Sequence, residues 1–103
     1  MSTVGNHIEI IRFKVKPTIA NDFVAARERV DEEVRQIDGF LGSELCRLNE
    51  ETWVIFIRWE NAVKTKAAQK ITETSPSISA WIAIADQFIS FETAEVKYTA
   101  ESR

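Results

Sequence analysis

The sequence is poor in the residues that build metal centres, disulfide frameworks and phosphate-binding loops. Its 103 residues include one cysteine, one histidine, two prolines and three glycines. Cys46 has no partner for an internal disulfide, and one histidine with one cysteine argues against a zinc or transition-metal site. Three scattered glycines form no phosphate loop. We therefore expect no metal, and interpret Cys46 as a small packing residue in a reducing cytoplasm.

Clustered charge and long hydrophobic runs are also lacking. Thirteen basic and 16 acidic residues are mixed along the chain, for a net charge of -3. Nucleic acid is an unexpected partner, because binding its backbone needs a clustered basic face. No apolar stretch reaches the roughly 18 residues of a membrane span. The opening "MSTVGNHIEI" has no signal-peptide pattern, so the sequence predicts a cytoplasmic protein.

What is present is a modest chain with enough apolar residues for one core. Hydrophobic residues make up 45% of the composition. A chain of this size and composition predicts a single domain over residues 1–103. Any pocket it contains must therefore be small, or shared with a second copy.

The first half of the chain reads as a strand followed by an amphipathic helix. Residues His7 to Lys16 alternate as a strand does. Pro17 ends it, and Thr18 is a candidate N-cap of the next helix. Glycine tolerates the left-handed conformation beyond a helix end, so Asp38-Gly39 is the predicted stop. One apolar stripe, which predicts that the helix lies on a sheet, contains Ile19, Phe23, Ala26, Val30, Val34 and Ile37.

The second half predicts a hairpin, two helices and a final strand. Strands over residues 40–48 and 53–59 are separated by a short polar connection, which favours a hairpin. Asn61 is the expected N-cap of a helix that turns Val63, Ala67 and Ile71 inward. Ser75-Pro76 starts a short helix with Ile78, Trp81, Ile82 and Ala85 inward. The last strand is expected from Phe88 to about Tyr98.

This order of elements predicts an α+β fold of the ferredoxin-like split βαβ type, with helices on one face of an antiparallel sheet. The segment "WVIFIRW" is apolar on both strand faces, so a bare second face would expose an apolar patch. A second copy packed sheet against sheet would cover it. We therefore expect a homodimer.

The phrase "DGFLGSELCRLNEETWVIFIRWENAVKTKAA" resembles the antibiotic biosynthesis monooxygenase family. The shared features are Gly-Phe-x-Gly at the entry to the second strand and Trp-Glu-Asn at the end of the third. The resemblance covers about residues 8–98 and implies a dimeric α+β barrel. Members include cofactor-independent oxygenases of phenols, enzymes that act on quinols, and haem-degrading oxygenases. Fold resemblance alone does not decide among these functions.

In such relatives a tryptophan at this strand end lines a cavity between sheet and helices, a role that the resemblance gives to Trp59. Because side chains alternate, Trp53, Ile55 and Ile57 would then share its face. The dimer interface would take Val54, Phe56 and Arg58. For Arg58 we expect an ion pair between protomers, with Glu44 or Glu92 as candidate acids. The alternatives are an acidic ligand for Arg58 and simple packing under the second helix for Trp59.

The resemblance also speaks against haem degradation. Haem-degrading relatives carry an asparagine on the first strand and an axial histidine on the helix after the tryptophan. This sequence has Ile11 at the first position and Trp81 near the second. We therefore expect no haem and no other cofactor.

Oxygenation of an electron-rich aromatic remains the preferred hypothesis. It needs flat apolar walls, for which the candidates are Ile11, Phe13, Trp59 and Trp81, and a base that makes a phenolate. His7 and Glu9 share the parity of the wall residues and are the candidate bases. Three of these residues also have a purely structural interpretation: His7 as a solvated strand end, Glu9 as one half of an ion pair and Trp81 as a hydrophobic anchor. The alternative function is a non-catalytic dimeric ligand-binding or stress-associated module, whose cavity its own side chains fill.

Overall fold

The computed structural model describes residues 4–102, which form one four-stranded antiparallel sheet in the order β2-β3-β1-β4. The elements in chain order are β1 (His7–Lys14), a short 3-10 helix (Pro17–Ile19), α1 (Ala20–Val34), β2 (Phe40–Arg47), β3 (Thr52–Trp59), α2 (Ala62–Thr72), α3 (Pro76–Ile84) and β4 (Gln87–Glu95). The predicted order of strands and helices and the α+β fold are confirmed. In this region no helix is long and apolar enough to cross a membrane.

The core lies between the sheet and the helices, and alternation along β1 and β3 decides which side chains enter it. Phe13, Ile55 and Trp59 are almost inaccessible to solvent and belong to one hydrophobic cluster with α1 and α3. Glu9, Ile11 and Phe13 point to the same side, because strand side chains alternate. Trp53 and Ile57 also belong to this cluster. The face assigned to these residues from the sequence is therefore the helix face.

The first helix begins and ends differently from the sequence prediction. Pro17 starts a 3-10 turn, and α1 follows from Ala20 with Ile19 as its N-cap, so Thr18 does not cap it. The helix ends at Val34, before the predicted stop. Ile37 still packs against the core from the connection that follows. Gly39 has a φ of +92°, and it lies directly before β2 rather than at the helix end.

Helix α2 presents a different face from the one predicted. The Asn61 side chain accepts a hydrogen bond from the Lys64 backbone N-H at 2.9 Å, which confirms the N-cap. The buried residues are Thr65 and Ala68, however, whereas Val63 is 75% exposed and Ile71 is also exposed. The predicted inward stripe of Val63, Ala67 and Ile71 is therefore wrong. A polar strip including Gln69 and Thr72 faces a cavity instead.

Helix α3 begins where the sequence indicated. The Ser75 hydroxyl accepts a hydrogen bond from the Ile78 backbone N-H at 3.3 Å, and Pro76 occupies the first turn. Trp81 is the buried residue of this helix. Its indole Nε1 donates to the Phe23 carbonyl oxygen of α1 at 2.9 Å. Trp81 therefore anchors α3 to α1.

The outer face of the sheet, which no helix covers, holds the residues that we assigned to a dimer interface. Val54 is only 1% exposed within the single chain, so its burial does not require a partner, and Phe56 is half-buried. The Arg58 guanidinium pairs with Glu44 of its own chain at 3.2 Å. Glu44, one of the two candidate acids, lies on the adjacent strand with the same parity as Phe56 and Arg58, so the pair forms within one chain.

The strand ends also differ slightly from the prediction. β1 ends at Lys14 and β4 runs from Gln87 to Glu95, shorter than expected at its C-terminal end. The β2–β3 connection is a hairpin, as predicted. The Asn49 side-chain oxygen accepts hydrogen bonds from the backbone N-H groups of Glu51 and Thr52, at 3.1 and 2.9 Å, which fixes the turn.

Candidate active site

A cavity of about 390 Å³ lies between the helix face of the sheet and the three helices. This volume is within the range of small-molecule sites. Its lining is mainly aliphatic and aromatic, with a small polar group: Glu9, Ile11, Phe13, Arg27, Val30, Val34, Ile57, Trp59, Gln69, Thr72, Glu73, Ile78, Ser79, Trp81, Ile82, Phe88 and Phe91. The alternative in which the protein's own side chains fill this space is not met, since a ligand-sized volume is left.

Glu9 is the buried acid of the cavity. It is 6% exposed, and both of its carboxylate oxygens are held. Trp59 Nε1 donates to Oε1 at 2.6 Å, and Gln69 Nε2 donates to Oε2 at 3.2 Å. Residues of β3 and α2 thus fix the orientation of a side chain from β1. A carboxylate oxygen has two lone pairs, so each oxygen can still accept a proton from a ligand.

Burial makes Glu9 a stronger base than an ordinary glutamate. Desolvation raises the pKa of Glu9 above its usual value, because the charged form loses hydration in the apolar cavity. The hydrogen bonds from Trp59 and Gln69 and the charge of Arg27 oppose this rise without cancelling it. A carboxylate with a raised pKa is suited to take a proton from a weakly acidic group near neutral pH.

Aromatic rings form one wall of the cavity. Phe23, which does not itself line the cavity, supports the wall by stacking on Trp81 with ring centroids 4.5 Å apart and planes at 20°. Phe13 meets Trp81 edge-on at 5.3 Å and Phe88 edge-on at 5.8 Å. Edge-to-face and offset arrangements are the favoured geometries of aromatic pairs. The wall is therefore a packed aromatic unit that can hold a flat ring.

Arg27 is the buried cationic residue of the same cavity. It is 6% exposed and lies on α1, where its Nε donates to Asp31 Oδ1 at 2.9 Å. Its Cζ lies 4.7 Å from the centroid of the Trp81 ring, in cation–π range. The Nη2 atom is buried and has no hydrogen-bond partner among residues 4–102. Desolvation lowers the pKa of Arg27, and Asp31 opposes that shift.

The structure brings together most of the candidate residues from the sequence. Ile11, Phe13, Trp59 and Trp81 all line the cavity, and Glu9 joins them. His7 does not line it: it starts β1, half-exposed, and is paired in register with Trp59 and Glu95. Trp81 is both a wall of the cavity and the anchor of its helix.

The sequence analysis missed Arg27 and Gln69. Arg27 lies at helical spacing from Phe23, Val30 and Val34, so a charge inside the apolar stripe was the available signal. The stripe was assigned to Ala26 instead. Gln69 gave no signal, because the inward face of α2 was placed on its apolar residues.

The residues present do not suit a haem iron. The cavity lining contains no histidine or cysteine, and it includes Ile11 and Trp81, the residues that the resemblance placed at and near the two haem-related positions. Within the described chain no cluster of histidine, cysteine and acidic residues could hold a metal ion. A second concavity, of about 430 Å³ between α1 and α3, has Arg29 as its single titratable lining residue. Proton-transfer chemistry is therefore better served by the first cavity.

Comparison with known proteins places the chain in a family. The family model described as "Antibiotic biosynthesis monooxygenase" matches residues 6–83, and the chain belongs to this family. No curated protein matches the chain significantly.

Several solved structures share the fold. A putative antibiotic biosynthesis monooxygenase from Bordetella bronchiseptica is 17% identical, with a TM-score of 0.72 over 91% of this chain and 99% of that one. A mutant of SnoaB, a cofactor-independent oxygenase from Streptomyces nogalater, is 18% identical, with a TM-score of 0.67 over 97% of both chains. A conserved protein from Methanosarcina mazei is 14% identical, with a TM-score of 0.67 over 94% and 96%. At these identities the likeness concerns the fold.

Proposed function

We propose that this protein is a cofactor-independent monooxygenase that oxidises an electron-rich aromatic of the phenol or quinol type in the cavity between sheet and helices. The observation that carries the proposal is Glu9, a buried carboxylate with a raised pKa that Trp59 and Gln69 hold against apolar walls. Family membership and the shared fold of a cofactor-independent oxygenase support it.

In the proposed reaction Glu9 takes the proton of the aromatic hydroxyl. The phenolate that results is electron-rich and passes an electron to O2. Radical recombination then forms a carbon–oxygen bond at a hydrogen-bearing ring carbon opposite the hydroxyl, and the proton held by Glu9 passes to the peroxide oxygen, which gives a hydroperoxide. Loss of the hydrogen from that ring carbon, together with cleavage of the O–O bond, releases water and leaves a carbonyl. One oxygen atom enters the product, the other leaves as water, and the substrate supplies all the electrons.

We further propose that the protein works as a homodimer in the cytoplasm. The helices cover one face of the sheet, and the outer face contains the half-buried residues Ile8, Ile10 and Phe56 beside the Arg58–Glu44 pair. An apolar sheet face of this kind is suited to a two-fold contact with a second copy. The single cysteine is compatible with a reducing compartment.

Oxygen uptake with a panel of quinols and anthrones tests the activity. We expect consumption above the protein-free rate for at least one compound, and one ¹⁸O atom in the product when ¹⁸O2 is supplied. The variant Glu9→Gln keeps the shape of the side chain but removes the base, so it should lower kcat by about 100-fold or more. His7→Gln is the matched control and should retain activity, because His7 lies outside the cavity lining.

The alternative functions give different results. Loss of activity in His7→Gln with activity retained in Glu9→Gln would transfer the role of base to His7. Tight binding of the aromatic compounds by calorimetry, without oxygen uptake, would contradict the monooxygenase and favour a ligand-binding module.

A further inference from the structure

Arg27 is a buried cation whose hydrogen-bonding capacity is only partly used. Asp31 accepts from its Nε and also from the Ser43 hydroxyl at 3.3 Å. Nη2 lies in the interior with no acceptor among the described residues. A buried donor without an acceptor is costly, and native structures rarely keep one without a reason. Arg27 is also one of the residues that line the cavity, so a ligand bound there would lie beside this side chain.

Arg27 and Glu9 face the same cavity from different walls. Glu9 is fixed from the sheet side by Trp59 and Gln69, whereas Arg27 projects from α1. No ion pair within 4.0 Å joins the two side chains, although both line the cavity. Ile11 and Trp81 line the same cavity. A flat ligand with a proton donor at one end and an anionic oxygen at the other would match both walls.

We propose that Arg27 is a substrate-binding residue that recognises a carboxylate, and that the substrate is a hydroxyaryl carboxylate. The guanidinium has donors only and suits a carboxylate oxygen in geometry and charge. The cation–π contact with Trp81 holds the guanidinium plane in place. This assignment rests on the proposed function for the position of the ring hydroxyl at Glu9. The carboxylate preference itself is independent of turnover.

A purely structural role for Arg27 is the competing explanation. In that case the side chain would only pack on Trp81 and pair with Asp31, and the cavity would bind charged and uncharged aromatics alike. Binding selectivity separates the two roles, because packing alone does not distinguish a carboxylate from an ester.

The test is calorimetric binding of three probes to the full chain: 6-hydroxy-2-naphthoate, its methyl ester, and 2-naphthol. We expect the carboxylate to bind about tenfold or more tightly than the ester and the naphthol, as a charge-assisted hydrogen bond predicts. Arg27→Gln should reduce this preference to within about twofold. Arg29→Gln removes an exposed arginine from the same helix and should leave the preference unchanged.

Equal affinity of the three probes for the unmodified protein, or no binding of any, overturns the proposal. A preference that survives in a folded Arg27→Gln also overturns it. The ester comparison needs no variant, so the proposal stays falsifiable if Arg27→Gln does not fold, and Arg27→Lys then serves as the milder change. Oxygen uptake is measured separately. A preference for the carboxylate without oxygen uptake would contradict only the proposed monooxygenase activity. Oxygen uptake without the preference would contradict only the role assigned to Arg27.

Discussion

Two charged residues of one cavity show how the environment of a side chain decides its chemistry. Glu9 and Arg27 are each 6% exposed. Desolvation raises the pKa of Glu9 and lowers that of Arg27, so in both cases it favours the neutral form. Their partners differ, however. Trp59 and Gln69 hold both oxygens of Glu9, whereas Arg27 keeps an unpaired Nη2. Glu9 is therefore a well-oriented carboxylate, and Arg27 is a buried cation with one unsatisfied donor.

The stability of the protein should depend on the ionisation of Glu9. Because the pKa of Glu9 is raised above the ordinary 4.5, the folded state favours the protonated carboxyl group. The contribution of this protonated group to stability is lost as pH rises through the raised pKa. Glu9→Gln does not titrate. In urea titrations, we expect the free energy of unfolding of the variant to increase relative to that of the unmodified protein as the pH is raised from 4 to 8. A difference that stays constant across this range would contradict the raised pKa.

Trp59 should tune the basicity of Glu9. Its hydrogen bond is the largest influence that lowers the pKa of Glu9, so Trp59→Phe should raise that pKa further. NMR of the ¹³C-labelled carboxyl group measures the change. Trp53→Phe is the matched control, because Trp53 is also buried but its Nε1 has no hydrogen-bond partner among residues 4–102. Equal shifts in the two variants would show that ring volume, and not the N-H donor, matters.

At the scale of elements, the connections position the helices over the cavity. The Asn61 and Ser75 caps set where α2 and α3 begin, and the Trp81–Phe23 hydrogen bond ties α3 to α1. The turn before β2 is a third fixed point. There the Gly39 carbonyl accepts from the Glu60 backbone N-H at 2.9 Å, which joins the start of β2 to the end of β3.

Two glycines with the same backbone conformation should respond differently to alanine. Gly5 and Gly39 have φ values of +89° and +92°. A Cβ at Gly5 would meet open space, whereas one at Gly39 would lie 2.5 Å from the Lys64 Cβ. Gly5→Ala should cost about 1 kcal/mol of backbone strain, and Gly39→Ala should cost more because of the added clash. Chemical denaturation measures both, and equal costs would mean that α2 yields without penalty.

At the scale of the whole molecule, the sheet face that no helix covers is the apolar surface that the proposed dimer would bury. The cavity is lined by helices and strands of one chain, so the catalytic residues proposed above come from a single protomer. Sheet-to-sheet pairing would bury Phe56 and its neighbours without contributing these residues. Assembly and chemistry are therefore separable properties.

The homodimer is testable through its proposed interface. Sedimentation equilibrium should give a dimer at micromolar concentration. Phe56→Asp should weaken self-association by about 100-fold, because an unpaired charge in an interface is costly. Val63→Asp places the same charge on the exposed side of α2 and should leave the dimer intact. A monomeric unmodified protein, or equal effects of the two variants, would argue against this interface.

The sequence by itself determined the order of elements, the helix caps at Asn61 and Ser75, and the side of the sheet on which Glu9, Phe13 and Trp59 lie. These are local properties: strand alternation and cap chemistry depend on neighbours in the chain. Tertiary structure decided the rest. It turned α2 so that Gln69 contacts Glu9, and it placed Arg27 in the lining of the same cavity as Glu9. It also paired Arg58 with Glu44 in the same chain. Those contacts join residues distant in sequence, and only the packing of helices on the sheet brings them together.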